Sequence, residues 1–412
     1  MEANVSMPSS LDRHLEKLVV EMGHRSVGSP ANQKAVAYAA DTLNALGWEV
    51  ALNAFDCMDW DEAPVRLQVG SHHFTAYASP YSPPCNVRVP LVAADSLTQL
   101  QAADLEHRIL FISGDLAKEQ LMPKNFVFYN PEEHRHLIAL LEEKNPAAII
   151  CATGPGEGLS KGLNPYPVFE DGDFHIPSVY MKEEDGERLL HIWQQQPDEE
   201  ILLAHQSRRI PSTGHNPVAR KIGTGQKTDR KRILICAHID AKKTTPGALD
   251  NTTGVAVLLS LAEALQDYRG RDDLEIIPFN GEDYYAVSGQ MNYLQQNDGK
   301  FDDIRLVINI DGAGHVDSRT ALSFYNLSED DIGKLLTTAG GFSSLEQGEA
   351  WYEGDHSIFL QQGVPCMTAT SSNLRDGVMT ISHTSHDTLD KVNLSLLEEL
   401  VAFLRDVIIT PP

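Results

Sequence analysis

The sequence predicts an α/β fold: a three-layer α/β/α sandwich with a mixed, mostly parallel central sheet, interrupted by an inserted β-rich domain. Three observations carry this expectation. Ile233–Ala237, Leu274–Phe279 and Leu306–Ile310 are predominantly apolar runs, the pattern of strands covered on both faces. Helical patterns such as Gly254–Leu265 and Leu394–Ile408 alternate with them and are suited to cover them. Between residues 58 and 211 the pattern changes to short strand candidates and turns rich in Pro, Ser and Gly.

In chain order, Leu11, Leu15, Leu18, Val19 and Met22 recur at helical spacing, with Ser9 or Ser10 as caps. A second helix begins at Ser29-Pro30, a cap followed by proline in the first turn, and stops at Gly47. Trp48 to Phe55 then alternates as a strand. The segment 58–211 holds strand candidates in VRLQV, HHFTAYA and RILFISG, one amphipathic helix from Glu132 to Lys144, and a buried strand from Ala147 to Ala152. Its paired histidines, His72, His73, His134 and His136, read as surface residues, and the acidic loop Pro165–Phe174 as solvated. Strand, loop and helix resume near Ser212. Residues 1–57 and 212–412 are therefore expected to form one discontinuous catalytic domain around the insert 58–211.

At 412 residues, with 42% hydrophobic and 22% charged, the composition is that of an ordinary globular chain. The net charge of -25, from 58 acidic and 33 basic residues, disfavours nucleic acid and anionic membranes as partners. The N-terminal stretch MEANVSMPSSLDRHLEKL has neither an apolar core nor a small-residue cleavage site, and does not read as a signal peptide. The five cysteines are scattered, never as CxxC, which fits a reducing compartment and argues against a thiolate zinc site. The expectation is a soluble, cytoplasmic protein.

The chemistry concentrates at strand ends, where open α/β sheets build their sites. ILICAHID ends in His238 and Asp240, and PGALDN brings Asp250 ahead of a helix. Glu282-Asp283 follows LEIIPFNG, and Asp311 follows RLVINI. His238 reads as a metal ligand, with Asp240 as a partner that fixes the imidazole tautomer. A carboxylate such as Asp250 has two oxygens and can bridge two cations held ~3.5–4 Å apart. Of Glu282 and Asp283, one can ligate while the other serves as general base. His383, in ISHTSHDT, competes for a ligand role with His386, His356 and His315. Together these donors point to a two-metal hydrolase.

The ordered motifs resemble the di-zinc aminopeptidase family that includes bacterial leucine aminopeptidases and glutamate carboxypeptidase. His-x-Asp, Pro-Gly-Ala-x-Asp-Asn, Glu-(Glu/Asp), Asp, Gly-(Ile/Val)-Pro and His-Thr-x-x-Asp-Thr occur in order across residues ~230–392. GDHSIFLQQGVP, Gly354 to Pro365, is similar to the segment before the family's last ligand. The resemblance selects His383 among the histidines. It implies that His238 and Asp311 bind one metal and Asp283 and His383 a second. It further implies that Asp250 bridges them, Asp240 orients His238, Glu282 is the general base, and the Asp250–Asn251 peptide is cis. The insert resembles the protease-associated domain of some members.

Two departures stand out. Asp283 occupies a position where glutamate is commoner. Ser382 occupies one where several relatives have an oxyanion-stabilising tyrosine, a role for which Tyr352, Tyr284 and Tyr285 are candidates.

The implied function is removal of N-terminal residues from peptides through a di-zinc-bound hydroxide, with cobalt or manganese as alternative metals. Three other readings use the same frame: a carboxypeptidase or small-amide hydrolase, a glutaminyl cyclase-like enzyme at a single zinc, and a non-catalytic, receptor-like scaffold. The expected partners are peptide substrates, and a homo-oligomer formed through the insert is an open expectation.

Overall fold

The computed structural model describes residues 9–410. The opening octapeptide, on which part of the reading against a signal peptide rests, lies outside the described residues. Ser9 caps the helix Ser10–Leu15, its hydroxyl accepting from the Asp12 amide at 3.2 Å. The chain continues as a π-helical turn, Glu16–Met22, that ends at Gly23. The single helix expected here is thus two helical types in series, with Leu11, Leu15, Leu18 and Val19 buried. Ser29 caps the next helix, Pro30–Ala45, by accepting from the Asn32 amide at 3.1 Å. The following strand, Glu49–Asp61, runs six residues beyond its expected end at Phe55.

The described residues fall into two compact units, divided between Cys57 and Met58 and between Ser212 and Thr213. The first is built on an eight-stranded sheet. Its order is Glu49–Asp61, Arg208–Lys221, Asp273–Phe279, Arg232–His238, Ile304–Ile310, Cys366–Ser371, Thr320–Tyr325 and Leu345–Gln347. The four strands from Asp273–Phe279 to Cys366–Ser371 are mutually parallel, whereas Arg208–Lys221 and Thr320–Tyr325 pair antiparallel with their outer edges. The sheet is therefore mixed and mostly parallel, as expected. Every residue of Arg232–His238 is buried, which requires cover on both faces. The three apolar runs read from the sequence are neighbouring central strands.

Helix Thr253–Ala264 packs on the His238 strand and against helix Leu394–Ile409. Gly254 makes the first of these contacts close. A Cβ there would lie 2.8 Å from Ala237 Cβ and 2.7 Å from the Ile310 carbonyl oxygen. Leu258, Leu261, Leu400 and Phe403 share the resulting core with Ile235 and Ile308.

The second unit contains two sheets. One has four strands in the order His72–Phe74, Arg66–Val69, Ile201–His205 and Cys85–Val89. The other has five, and its strands Ser178–Lys182, Ala148–Thr153, Ile109–Ile112 and Leu91–Ala94 are parallel. Helix Glu132–Lys144 has the limits expected of it.

Two expectations fail in this unit. His134 is buried rather than on the surface, because its Nδ1 accepts from the Met122 amide at 3.0 Å. The acidic loop 165–174 is not solvated: Tyr166, Val168, Phe169 and Phe174 join an apolar core, and Asp171 turns inward to accept from the amides of Lys124 and Asp173. Its acidic residues disguised an apolar alternation. Among the described residues no helix is long and apolar enough to cross a membrane.

Candidate metal centre

The first unit brings His238, Asp250, Glu282, Asp283, Asp311 and His383 together at the C-terminal ends of its parallel strands. His238 is the last residue of its strand, Asp311 follows Ile310, and Glu282-Asp283 follows the strand Asp273–Phe279 by a short turn. Asp250 sits between the two imidazoles. Its Oδ1 is 3.1 Å from His238 Nε2, and its Oδ2 is 3.1 Å from His383 Nε2. Each imidazole then faces a further carboxylate of its own. Asp311 lies 3.7 Å from His238 Nε2, and Asp283 lies 2.9 Å from His383 Nε2. Glu282 stands 3.9 Å from His238 Nε2 and, at 22% exposed, is the most open of the carboxylates. The arrangement is two half-sites sharing one carboxylate.

Each group is held by its element. His238 Nδ1 bonds the main-chain carbonyl of Asp240 at 3.1 Å, which leaves Nε2 as the lone-pair atom turned toward Asp250. The Asp240 carboxylate is farther from that nitrogen, at 3.7 Å. It accepts instead from the amides of Gly281 at 2.7 Å, Glu282 at 3.3 Å and Asp283 at 3.1 Å. The orienting role expected of Asp240 thus falls to its backbone, and its side chain anchors the Glu282–Asp283 loop.

Asp250 and Asn251 leave helical geometry, and the peptide between them is cis. The Asn251 side chain donates to the Ile310 carbonyl at 2.8 Å and accepts from the Gly254 amide at 3.1 Å, tying this turn to the Asp311 strand. His383 adopts a left-handed backbone, φ 64°, and its carbonyl accepts from Thr244 Oγ1 at 2.6 Å. A non-glycine residue held there stores about 1–3 kcal/mol, a cost met where the surrounding structure over-determines the conformation.

Two residues of the site carried no assigned role in the sequence reading. Asp387 accepts from the amides of Leu249 at 2.7 Å and Asp250 at 3.1 Å, so it positions the shared carboxylate. Its signal was the second half of His-Thr-x-x-Asp-Thr. Asp355, wholly buried, accepts from Gln290 at 2.7 Å. Of the competing histidines, His356 is buried against Asn309 and the Trp351 carbonyl, and His315 bonds Asn373. Ser382 donates to the Val378 carbonyl at 3.1 Å. Among the tyrosines considered as its replacement, Tyr284 is buried beside Tyr285 and Tyr352 is 64% exposed.

The electrostatics are those of too many carboxylates for the available positive charge. Burial opposes charge on His383, but Asp283 and Asp250 outweigh it and raise the imidazole to about 10. His238 is likewise held well above the usual histidine range, burial being overcome chiefly by Asp311. Burial, reinforced by Asp283, Asp311 and Asp355, outweighs the attraction of His238 and holds the Glu282 carboxyl well above the usual range. His238 Nε2 and Asp283 Oδ2 are buried with no hydrogen-bond partner of good geometry. Imidazole nitrogens and carboxylate oxygens, converging and in part unsatisfied, are the donor set of a borderline divalent cation. His238, Asp250 and Asp283 each offer a ligand atom within 4.8 Å of the others. The residues fit a metal centre.

Residues 218–408 match the model of peptidase family M28. The matched segment, a little under half of the chain, is similar to this family. A probable lipoprotein aminopeptidase, LpqL, of Mycobacterium tuberculosis is 25% identical over 293 residues, covering 69% of this chain and 54% of that protein. The chain thus spans about half the length of that relative. The fold is also that of an aminopeptidase from Aneurinibacillus sp. strain AM-1, with a TM-score of 0.74, 20% identity, and coverage of 97% of this chain and 92% of that one. The zinc aminopeptidase BSAP from Bacillus subtilis superposes with a TM-score of 0.73 and 20% identity, covering 96% and 92%. The M28 match spans every residue of the cluster, from His238 to His383.

Proposed function

We propose that the chain is a metal-dependent aminopeptidase that removes N-terminal residues from peptides. The observation that carries this reading is the shared carboxylate, Asp250, whose two oxygens face two different imidazoles, each with a carboxylate of its own. His238 and Asp311 would hold one divalent ion, His383 and Asp283 a second, and Asp250 both. The zinc named for the Bacillus subtilis aminopeptidase of the same fold supports zinc as the metal. Such ions supply Lewis acidity that polarises a carbonyl and acidifies water at neutral pH.

Glu282 then has the work of a proton carrier. Its carboxyl is the most open of the set, and burial, reinforced by the neighbouring carboxylates, makes it basic enough to accept a proton from the attacking water. It returns that proton to the leaving amine as the tetrahedral centre collapses. Asp240 keeps Glu282 and Asp283 in register through three backbone amides, so base and ligand move together. Asp387 does the same for Asp250.

The test is amino-acid release from a panel of dipeptides and tripeptides, free and N-acetylated, by chelator-stripped protein with zinc added back. Zinc-dependent cleavage of free but not acetylated peptides is the expected result. Equal cleavage of both sets would replace the reading with a carboxypeptidase-like one. Cleavage of neither would leave amide hydrolysis, glutaminyl cyclisation or a scaffold.

A further inference from the structure

A fully buried guanidinium lies beneath the loop that carries Asp240 and Asp250. Arg25 comes from the turn between the π-helical segment Glu16–Met22 and helix Pro30–Ala45, and is 1% exposed. All three of its side-chain nitrogens donate to oxygen. Nε bonds the Ile239 carbonyl at 3.1 Å. Nη1 bonds the carbonyls of Leu18 at 3.0 Å, Gly23 at 2.6 Å and Pro246 at 3.0 Å. Nη2 bonds the Gly247 carbonyl at 3.3 Å and Thr252 Oγ1 at 2.8 Å. Its backbone pairs with Ala241 in both directions, at 3.2 and 3.3 Å.

Those partners mark both ends of one loop. Ile239 and Ala241 flank Asp240, whereas Pro246, Gly247 and Thr252 bracket Asp250. Gly247 has φ 63°, and a Cβ there would sit 3.2 Å from Arg25 Nη2 and 2.7 Å from the Asp250 carbonyl. The loop is shaped around the guanidinium. Asp387 grips the same turn through its amides, so a cation holds the carbonyls and an anion holds the N–H groups. No ion pair is formed by Arg25 among the described residues, although Asp240, Asp387, Asp250 and Asp283 all act on it electrostatically. Its place is filled only by a planar cation with several fixed donors, because converging buried carbonyls without donors are costly.

We infer that Arg25 is a positioning residue for the metal centre: it sets the distance between the His238–Asp240 strand end and the bridging Asp250. This rests on the metal reading of the site. With the carbonyls tied to one rigid fork, the loop is held in its ligating shape before a metal arrives. Loss of the fork lets Asp250 drift from the imidazoles, and affinity falls.

The experiment is zinc binding by chelator-stripped, full-length protein in competition with a chromogenic chelator, for wild type, Arg25→Lys and Thr252→Val. Circular dichroism reports folding, and kcat and KM are followed against free zinc. Arg25→Lys keeps the charge but not the fork, and is expected to weaken zinc binding by about 10- to 100-fold, the range for groups that orient ligands. Thr252→Val removes one partner at the Asp250 end, is far less disruptive to folding, and is expected to weaken binding by a smaller factor. In both, kcat recovers as zinc is raised while KM stays near wild type. Wild-type zinc affinity in Thr252→Val and in any folded Arg25→Lys overturns the inference and leaves Arg25 a core residue. Absence of zinc uptake by the wild type overturns the metal reading itself, which is a distinct result.

Discussion

Glu282 and Asp283 are adjacent in sequence and divide their labour in space. Asp283 points to His383, whereas Glu282 stands near His238 without a close partner there. Replacing Glu282 by glutamine should therefore lower turnover by about 10²–10⁴-fold, the usual share of a general base, while zinc content by elemental analysis stays unchanged. Turnover near wild type would remove Glu282 from the reaction. The Asp240 carboxylate makes a different prediction, since it bonds three consecutive amides rather than the imidazole. Asp240→Asn turns an acceptor against those N–H groups into a donor. Amide hydrogen exchange at Gly281, Glu282 and Asp283 should accelerate, with exchange at the strand Arg232–His238 little affected. Unchanged exchange at 281–283 would show that the anchor lies elsewhere.

The elements matter through their closeness. Helix Thr253–Ala264 begins where Gly254 lets it approach the ends of the His238 and Asp311 strands, and Asn251 bonds across the same gap. Gly254→Ala places a methyl 2.4 Å from Asn251 Oδ1 and 2.7 Å from the Ile310 carbonyl oxygen. Neither neighbour is a flexible chain end, so the helix must shift. The expected cost is about 1–3 kcal/mol of stability, measured by urea unfolding, together with weaker zinc binding. Wild-type stability would mean that the helix start has slack. The central strands were legible because, apart from Glu275 and Asn309, the buried runs 233–237, 274–279 and 306–310 are apolar on both faces. Cys366–Ser371 was not recognised as a strand, since Thr368, Thr370 and Ser371 break the apolar run although all are buried in the sheet.

Across the whole molecule, stability should depend on acid through groups far from the metal centre. His14 is buried beneath Tyr38, with Nδ1 2.7 Å from the tyrosine hydroxyl. Burial first, and the Arg13 charge second, lower its pKa from 6.5 to about 4, against a smaller opposing effect of Glu263. The unfolded chain thus takes up a proton between pH 6.5 and 4 that the folded chain refuses. The stability associated with neutral His14 is fully present above pH 6.5 and is lost as pH falls toward 4, by up to about 3 kcal/mol. His14→Gln lacks that titration. Urea unfolding at pH 7.5, 5.5 and 4.5, values spanning the window of about 4 to 6.5, should show wild type losing more stability than the variant. Parallel losses in the two proteins would refute the assignment to His14.

Local order along the chain is enough to specify the α/β class, the three central strands, the helix limits at Ser29-Pro30 and Glu132–Lys144, and which side chains end up at strand ends. Those features follow from local covalent order: apolar periodicity sets the element, and a residue one step past a buried strand emerges at its rim. The pairings come from packing in three dimensions. Nothing in the spacing of His238 and Asp240 shows that the backbone carbonyl takes the imidazole while the carboxylate reaches the amides of residues 281–283. Nor does the local pattern show that Asp387 holds Asp250, that Arg25 binds carbonyls more than 200 residues away, or that His134 and the 165–174 loop turn inward. Hydrogen-bond partners of this kind are selected by packing, which places groups remote in the chain within 3 Å or so and leaves each buried polar atom to be satisfied by what is nearest.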